Sequence, residues 1–227
     1  ISGEGIRPSP RLIKSVLEFP PPANKKDLHR FLGLINYFGK YIPDLSTRTG
    51  FLRTLLREDS VFEWDVNADR EWSNLKQALT SAPVLALFDL KRETKVATDA
   101  SLTGLGAAIF QKHGEDWRPI AFASRVLSDA ETRYSQIEKE ALGIVFGMER
   151  FHDFTYGRPV VVETDHQPLL AIAKKSVGDM PPRLQRFFLH LMVYDFQLQY
   201  VPGKKLVVPD TLSRVHSASF VPKRASL

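Results

Sequence analysis

The chain reads as a mixed α/β protein of the α+β kind, a sheet flanked by helices and preceded by a mainly helical segment. Three observations predict this. Up to about residue 90, apolar positions recur at helical spacing. From about residue 91, short β-branched runs bounded by turn residues take over. These strands then alternate with helices in the order βββ-α-β-α-α-β-α, which builds a mixed sheet with helices packed on it. At 227 residues and 43% hydrophobic content the chain has room for two packed units. The change of pattern sets them at 1–90 and 91–216, with 217–227 as tail or linker.

Residues 1–23 read as a short basic segment and a Pro-rich link, FPPPAN. Asn24 is placed to cap the next helix, with Asp27 favouring its positive end. Leu28, Phe31, Leu32, Ile35, Phe38 and Ile42 then mark one helical face from Lys25 to Ile42, and Pro43 stops it. A second helix holds Phe51, Leu52, Leu55 and Leu56, and a third spans about Ala68–Leu79 with Trp72, Leu75 and Leu79 on one face. Strands follow at Lys95–Thr98, Gly104–Gln111 and Pro119–Ser124. Ser128-Asp-Ala-Glu131 has the form of a capping box and opens a helix to about Phe151. Val160–Thr164 is continuously apolar enough for a central strand. A short helix around Pro168–Ala173, a longer one at Pro182–Val193, a strand at Phe196–Val201 and a terminal helix from near Pro209 complete the order.

Composition narrows the function. There is no cysteine, so disulfides and thiolate metal sites are excluded, and an intracellular setting is expected. No apolar run reaches membrane-spanning length and no signal peptide opens the chain, which begins at Ile1 and reads as part of something longer. The net charge of +5 is uneven: residues 1–57 carry 10 Lys and Arg against 4 Asp and Glu, and residues 170–227 carry 9 against 3. Residues 58–90 carry 2 against 7. Two basic ends around an acidic middle suit a polyanion laid across both ends, with metal-binding carboxylates between. The basic candidates are Lys25, Lys26, Arg30 and Lys40 on the first long helix, and Lys174, Lys175, Arg183, Arg186, Lys204 and Lys205 towards the C-terminus.

Four acids stand out: Asp99 in VATDAS, Glu140 in IEKEAL, Asp165 in VETDHQP and Asp210 in VPDTLSR. Glu140 shares a helical stripe with Ile137, Ala141 and Ile144, so it needs a partner, whereas Glu138 points elsewhere and suits a solvated face. Asp99 ends an apolar run, a setting that also suits a turn residue, and Asp165 ends the most apolar strand of the chain, where function often gathers on sheets with parallel strands. Asp210 has an ordinary helix-start explanation, and Asp195 is its rival at a strand entry. His166 faces away from Asp165 if both lie on a strand, which gives it a structural role. Buried carboxylates need a neutralising cation, and an all-oxygen set matches a hard divalent ion such as Mg²⁺. A pair of such ions activates water and stabilises a leaving oxygen in phosphodiester cleavage, which points to a nuclease.

The blocks TDASLTGLGAAIFQ, PIAFASRVLSDAETRYSQIEKEALGIV, FTYGRPVVVETDHQPL and YVPGKKLVVPDTLSR resemble, in order, the ribonuclease H domain of reverse transcriptases from gypsy-type LTR retrotransposons. FLGLINYFGKYIP, FEWDVNADREWSNLKQAL and SAPVLALFD resemble the thumb and connection of the same polyproteins. The resemblance covers about residues 1–216. It implies a ribonuclease H-like five-stranded mixed sheet, with Asp99, Glu140, Asp165 and Asp210 as metal-binding catalytic carboxylates. It also implies two Mg²⁺ ions, for which Mn²⁺ substitutes, and an RNA–DNA hybrid as substrate. The polymerase palm and fingers of the same polyprotein, with its YxDD motif, would lie upstream of Ile1, and a cytoplasmic retroelement particle is the expected setting. Without the palm, Phe31, Phe38 and Trp72 are candidates for partial exposure. Three positions depart from the family pattern: Pro209 stands where Ala is usual, Gly39 where a basic residue is common, and the loop before Asp210 has no histidine. A non-catalytic template–primer binding module and a domesticated remnant are the competing readings, and four intact acids favour catalysis.

Overall fold

Helices of the first ninety residues form because each brings its own cap and one apolar stripe. The structure, a computed structural model, describes residues 5–202. Helix α1 (Pro10–Leu17) starts with Pro at its first position and buries Val16. The basic segment expected there is thus partly helical. In α2 (Lys25–Tyr37) the Asn24 side chain accepts from the Asp27 N–H at 2.9 Å, and Leu28, Phe31, Leu32 and Ile35 are buried. This helix ends at Tyr37 rather than Ile42, because a 3₁₀ turn over Gly39–Tyr41 redirects the chain before Pro43. Then come α3 (Leu45–Arg48), α4 (Gly50–Thr54) and α5 (Val66–Thr80). The Asp65 side chain caps α5, accepting from the Asn67 and Ala68 N–H groups. Glu71 of α5 accepts from the N–H groups of Phe51 and Leu52, which fixes α4 against it. Phe31 and Phe38 are fully buried, contrary to expectation, and Trp72 is half-buried under Lys76.

Five strands follow: β1 (Thr94–Ala100), β2 (Gly104–His113), β3 (Asp116–Val126), β4 (Val160–Thr164) and β5 (Phe196–Tyr200). Their spatial order is β3-β2-β1-β4-β5, antiparallel at β1–β2 and β2–β3, parallel at β1–β4 and β4–β5. This is the mixed five-stranded sheet flanked by helices that the sequence implies. The central place belongs to β1, with β4 interior beside it.

The helix expected from Ser128 to Phe151 is two helices, α6 (Asp129–Thr132) and α7 (Gln136–Arg150). Its sequence carries the capping signature twice. Glu131 accepts from the Ser128 N–H, and Glu138 then accepts from the Ser135 N–H at 2.9 Å. The second cap restarts the helix on a new axis. Helices α8 (His152–Thr155), α9 (Gln167–Ala173) and α10 (Pro182–Leu191) complete the described residues. The terminal helix expected near Pro209 lies outside them.

Each sheet face has its own covering. On one side Val96, Ala107, Ile109 and Val162 bury against Ile144, Val145 and Met148 of α7 and against α10. A Cβ at Gly147 would come within 2.9 Å of Thr98 Cγ2, so glycine sets how close α7 lies. On the other side Ala97, Ala108, Phe110 and Phe122 share a core with Phe31, Phe38, Leu45 and Leu52. The two expected segments therefore meet across one apolar layer. Where that layer stops, a groove of about 640 Å³ opens over β4 and β5. Among its lining residues Lys95 donates to Glu163 at 2.9 Å, with both side chains nearly buried and Lys95 Nζ 4.6 Å from the Trp117 ring centre.

Candidate metal centre

Two neighbouring parallel strands place the first two carboxylates. Ala97 of β1 pairs with Glu163 of β4, the last pair of that ladder, and two residues further along each chain stand Asp99, inside β1, and Asp165, just past the end of β4. Asp99 lies inside β1, paired with Gly106, and not at the strand end its apolar run suggests. Asp165 follows β4 and keeps contact with solvent. Glu140 enters from α7 on the buried stripe and is 3% exposed. Carboxylate oxygens of Asp99, Glu140 and Asp165 all lie within 4.8 Å of one another.

The electrostatics are those of a site that wants a cation. Gln136 Nε2 donates to Glu140 Oε1 at 2.6 Å and to the Ala100 carbonyl at 3.0 Å, which fixes one carboxylate oxygen. The other oxygen, Oε2, is buried without a hydrogen-bond partner. Burial, with the charges of Asp99 and Asp165 adding to it, pushes the Glu140 pKa up to about 8 against the pull of Gln136. Burial first and the Asp165 charge second also raise Asp99, while the Ala100 backbone hydrogen bond opposes them. An orphaned buried oxygen beside two convergent carboxylates fits a hard divalent cation, whose charge would remove all three penalties at once. Gln136 was missed in sequence although it stands four residues before Glu140 on the same helix, a spacing that makes the two side chains neighbours.

Other candidates fall elsewhere. Glu138, on the face assigned to solvent, accepts from Arg183 Nη1 at 2.6 Å and caps α7, and Arg183 stacks 4.0 Å from the Tyr134 ring centre. Arg183 is therefore committed to an ion pair. Asp195 precedes β5 at the opposite end of β4 from Asp165, about 20 Å away along the strand at ~3.3 Å per residue. His166 donates its backbone N–H to Thr164 Oγ1. Asp210, Lys204 and Lys205 lie outside the described residues. Of the basic candidates, Lys26, Lys40, Lys174, Lys175 and Arg186 are exposed. Lys25 donates to the Arg57 carbonyl and Arg30 pairs with Asp27 at 3.7 Å. Among the described residues no helix is long and apolar enough to cross a membrane.

Comparison with known proteins bears on the fold and the family. Residues 64–162 match the family described as the RNase H-like domain found in reverse transcriptase. The Transposon Tf2-3 and Tf2-4 polyproteins of Schizosaccharomyces pombe are each 34% identical over 218 residues, covering 95% of this chain. The chain spans 16% of the length of those polyproteins. The foamy viral protease-reverse transcriptase in complex with RNA/DNA hybrid superposes with a TM-score of 0.73 at 20% identity, over 100% of this chain and 31% of that one. Its dRH form in complex with double-stranded DNA gives 0.74 at 21%, over 88% and 36%. At such identities the superpositions speak for the fold alone.

Proposed function

Because residues 64–162 belong to the RNase H-like family found in reverse transcriptase and the chain is similar throughout to retrotransposon polyproteins, we propose that it is a metal-dependent ribonuclease H. In this reading it is one part of a retrotransposon reverse transcriptase and hydrolyses the RNA strand of RNA–DNA hybrids. The observation that carries the proposal is the meeting of Asp99, Glu140 and Asp165 within 4.8 Å on this sheet. Two Mg²⁺ ions, or Mn²⁺ in their place, would supply a nucleophilic water at neutral pH and charge stabilisation for the departing 3′ oxygen.

The chain's own residues fix where that chemistry happens. The β1–β4 ladder ends at Ala97 and Glu163, two residues before Asp99 and Asp165, and so brings these two acids together at one end of the strand pair. Gln136 holds one oxygen of Glu140 and leaves the other free to ligate. Asp210 is proposed as a fourth ligand from the C-terminal segment. The exposed Lys26, Lys40, Lys174, Lys175 and Arg186 are proposed to hold the phosphate backbone, and the 2′-hydroxyl is the group that distinguishes RNA from DNA at the cut.

A cleavage assay on hybrid, single-stranded RNA and duplex DNA in Mg²⁺ tests the proposal. Hybrid cutting that disappears in Asp99→Asn and Asp165→Asn, with folding intact, is the expected result. Equal cutting of duplex DNA would sink the specificity. Binding of hybrid without any cleavage would favour a template–primer binding module.

A further inference from the structure

One acidic residue of the helical layer lies against Gly106, the strand partner of Asp99. Asp44, between the 3₁₀ turn and α3, has φ 50° and ψ 36°, and among the described residues it is the one non-glycine at positive φ. Asp, Asn and Gly are the residues most at ease there. Asp99, Gly106 and Ser124 stand side by side on β1, β2 and β3. The segment from Asp44 to Thr47 lies across this row. The Ser46 N–H donates to Ser124 Oγ at 2.9 Å, and a Cβ at Gly104 would come within 3.3 Å of Ser46 Oγ. A Cβ at Gly106 would lie 2.5 Å from Asp44 Oδ1. The missing side chain of Gly106, the register partner of Asp99, is thus what admits the Asp44 carboxylate.

We propose that Asp44 is a positioning residue of the metal centre, adding a further negative charge beside Asp99 from the helical layer and tightening cation binding without itself joining the three converging carboxylates. The proposal rests on the metal-centre reading given above. Two further observations support it. Glu140 Oε2 is buried and unpartnered in the same centre, so the cluster has an unmet demand for positive charge. The Asp44 pKa is pushed up to about 6, first by burial and next by the charge of Asp99, and nearby Arg48 only partly offsets this. Bonding of the Ser46 N–H to β3 then makes the same segment the mechanical link between helical layer and site.

Mn²⁺ binding followed by electron paramagnetic resonance on the full chain tests this without relying on catalysis. Loss of a residue that supports a metal centre from beside its ligands costs about tenfold or more in affinity. Asp44→Asn and Asp44→Gly both suit positive φ, so both should keep the fold. Each should raise the Mn²⁺ dissociation constant about tenfold and reduce the Mn²⁺-induced gain in melting temperature. The metal-free melting temperature should not fall, because a repulsion with Asp99 is removed. Asp99→Asn should abolish tight Mn²⁺ binding. If Asp99→Asn does so while both Asp44 variants bind as the parent does, Asp44 is only a turn residue and the proposal is overturned. If Asp99→Asn also binds as the parent does, the metal-centre reading falls and this inference with it.

Discussion

Replacing Glu140 by Gln should stabilise the metal-free protein at alkaline pH and do nothing at acid pH. The side chain is 3% exposed, and its pKa moves from 4.5 to about 8. Between those values the folded state holds a proton that the unfolded state has released, so stability falls as pH rises through this window. At ~1.4 kcal/mol per pKa unit the ionised carboxylate costs at most about 5 kcal/mol. Relaxation and water entry reduce such penalties, and about 2 kcal/mol is the working figure. Gln keeps an oxygen for the 2.6 Å bond from Gln136 and never ionises. For a chain of this size the melting temperature of Glu140→Gln should exceed the parent's by about 4 to 8 °C at pH 8.5 in EDTA. The two proteins should converge below about pH 5, where the parent Glu140 is also neutral. Calorimetry across pH reads both quantities. A variant less stable at pH 8.5, or a difference independent of pH, would refute the buried and repelled Glu140 described above.

Lys95→Met should cost about 3 to 5 kcal/mol in urea unfolding, because it strands Glu163 as a buried charge, whereas Lys95→Met/Glu163→Leu should recover most of that loss. Gln substitutions at Lys26, Lys40, Lys174, Lys175 and Arg186 should each lower the slope of log hybrid affinity against log salt by roughly 0.7 to 0.9. The same change at Lys25, Arg30 or Arg183 should lower it less, since those side chains already have partners, as filter binding across salt would show. A chain cut to residues 91–216 keeps every strand and proposed ligand but uncovers Ala97, Ala108, Phe110 and Phe122. It should melt well below the full chain and bind a hydrophobic dye, and an equally stable truncation would mean that the two segments fold independently.

What was legible in the sequence was what is local. The stripe Ile137, Glu140, Ala141, Ile144 lies within two turns of one helix, so spacing alone marked Glu140 as buried. Asp99 and Asp165 were visible because each closes an apolar run, although β1 in fact continues two residues beyond Thr98. The split between α6 and α7 was also readable, since Ser135 and Glu138 repeat the signature of Ser128 and Glu131. It was overridden by a helical period that continued through the break. Helix α1 was missed because it is eight residues long, opens at a proline and buries one residue fully, Val16, with Leu12 and Ile13 only partly buried beside it. The Lys95–Glu163 pair left a trace as well: Glu163 is a charge inside VVVET, two residues before Asp165, and Lys95 precedes Asp99 by four. Asp44 left none. Its neighbours in IPDLS read as a turn after Pro43, and its place beside Asp99 depends on a tertiary contact that no period encodes.

These unfavourable groups have a common location. Glu140 Oε2 and Glu163 Oε2 are buried without partners, Asp44 sits at positive φ, and Glu140 and Asp44 both hold their protons unusually tightly. All lie on or beside the ends of β1 and β4, although the helical layer has unpartnered buried groups of its own in Trp64 Nε1 and Trp72 Nε1. Groups that cost stability persist where the surroundings over-determine them. Here α7, the β1–β4 ladder and the docked Asp44–Thr47 segment supply that constraint from three directions. A cation at the centre would turn the same arrangement from repulsive to attractive, and the coupling would run both ways. Binding would tighten the contact between helical layer and sheet, and that contact would in turn hold the carboxylates ready. On this account the helical segment is part of the proposed metal site and not only a neighbour that lends it basic surface.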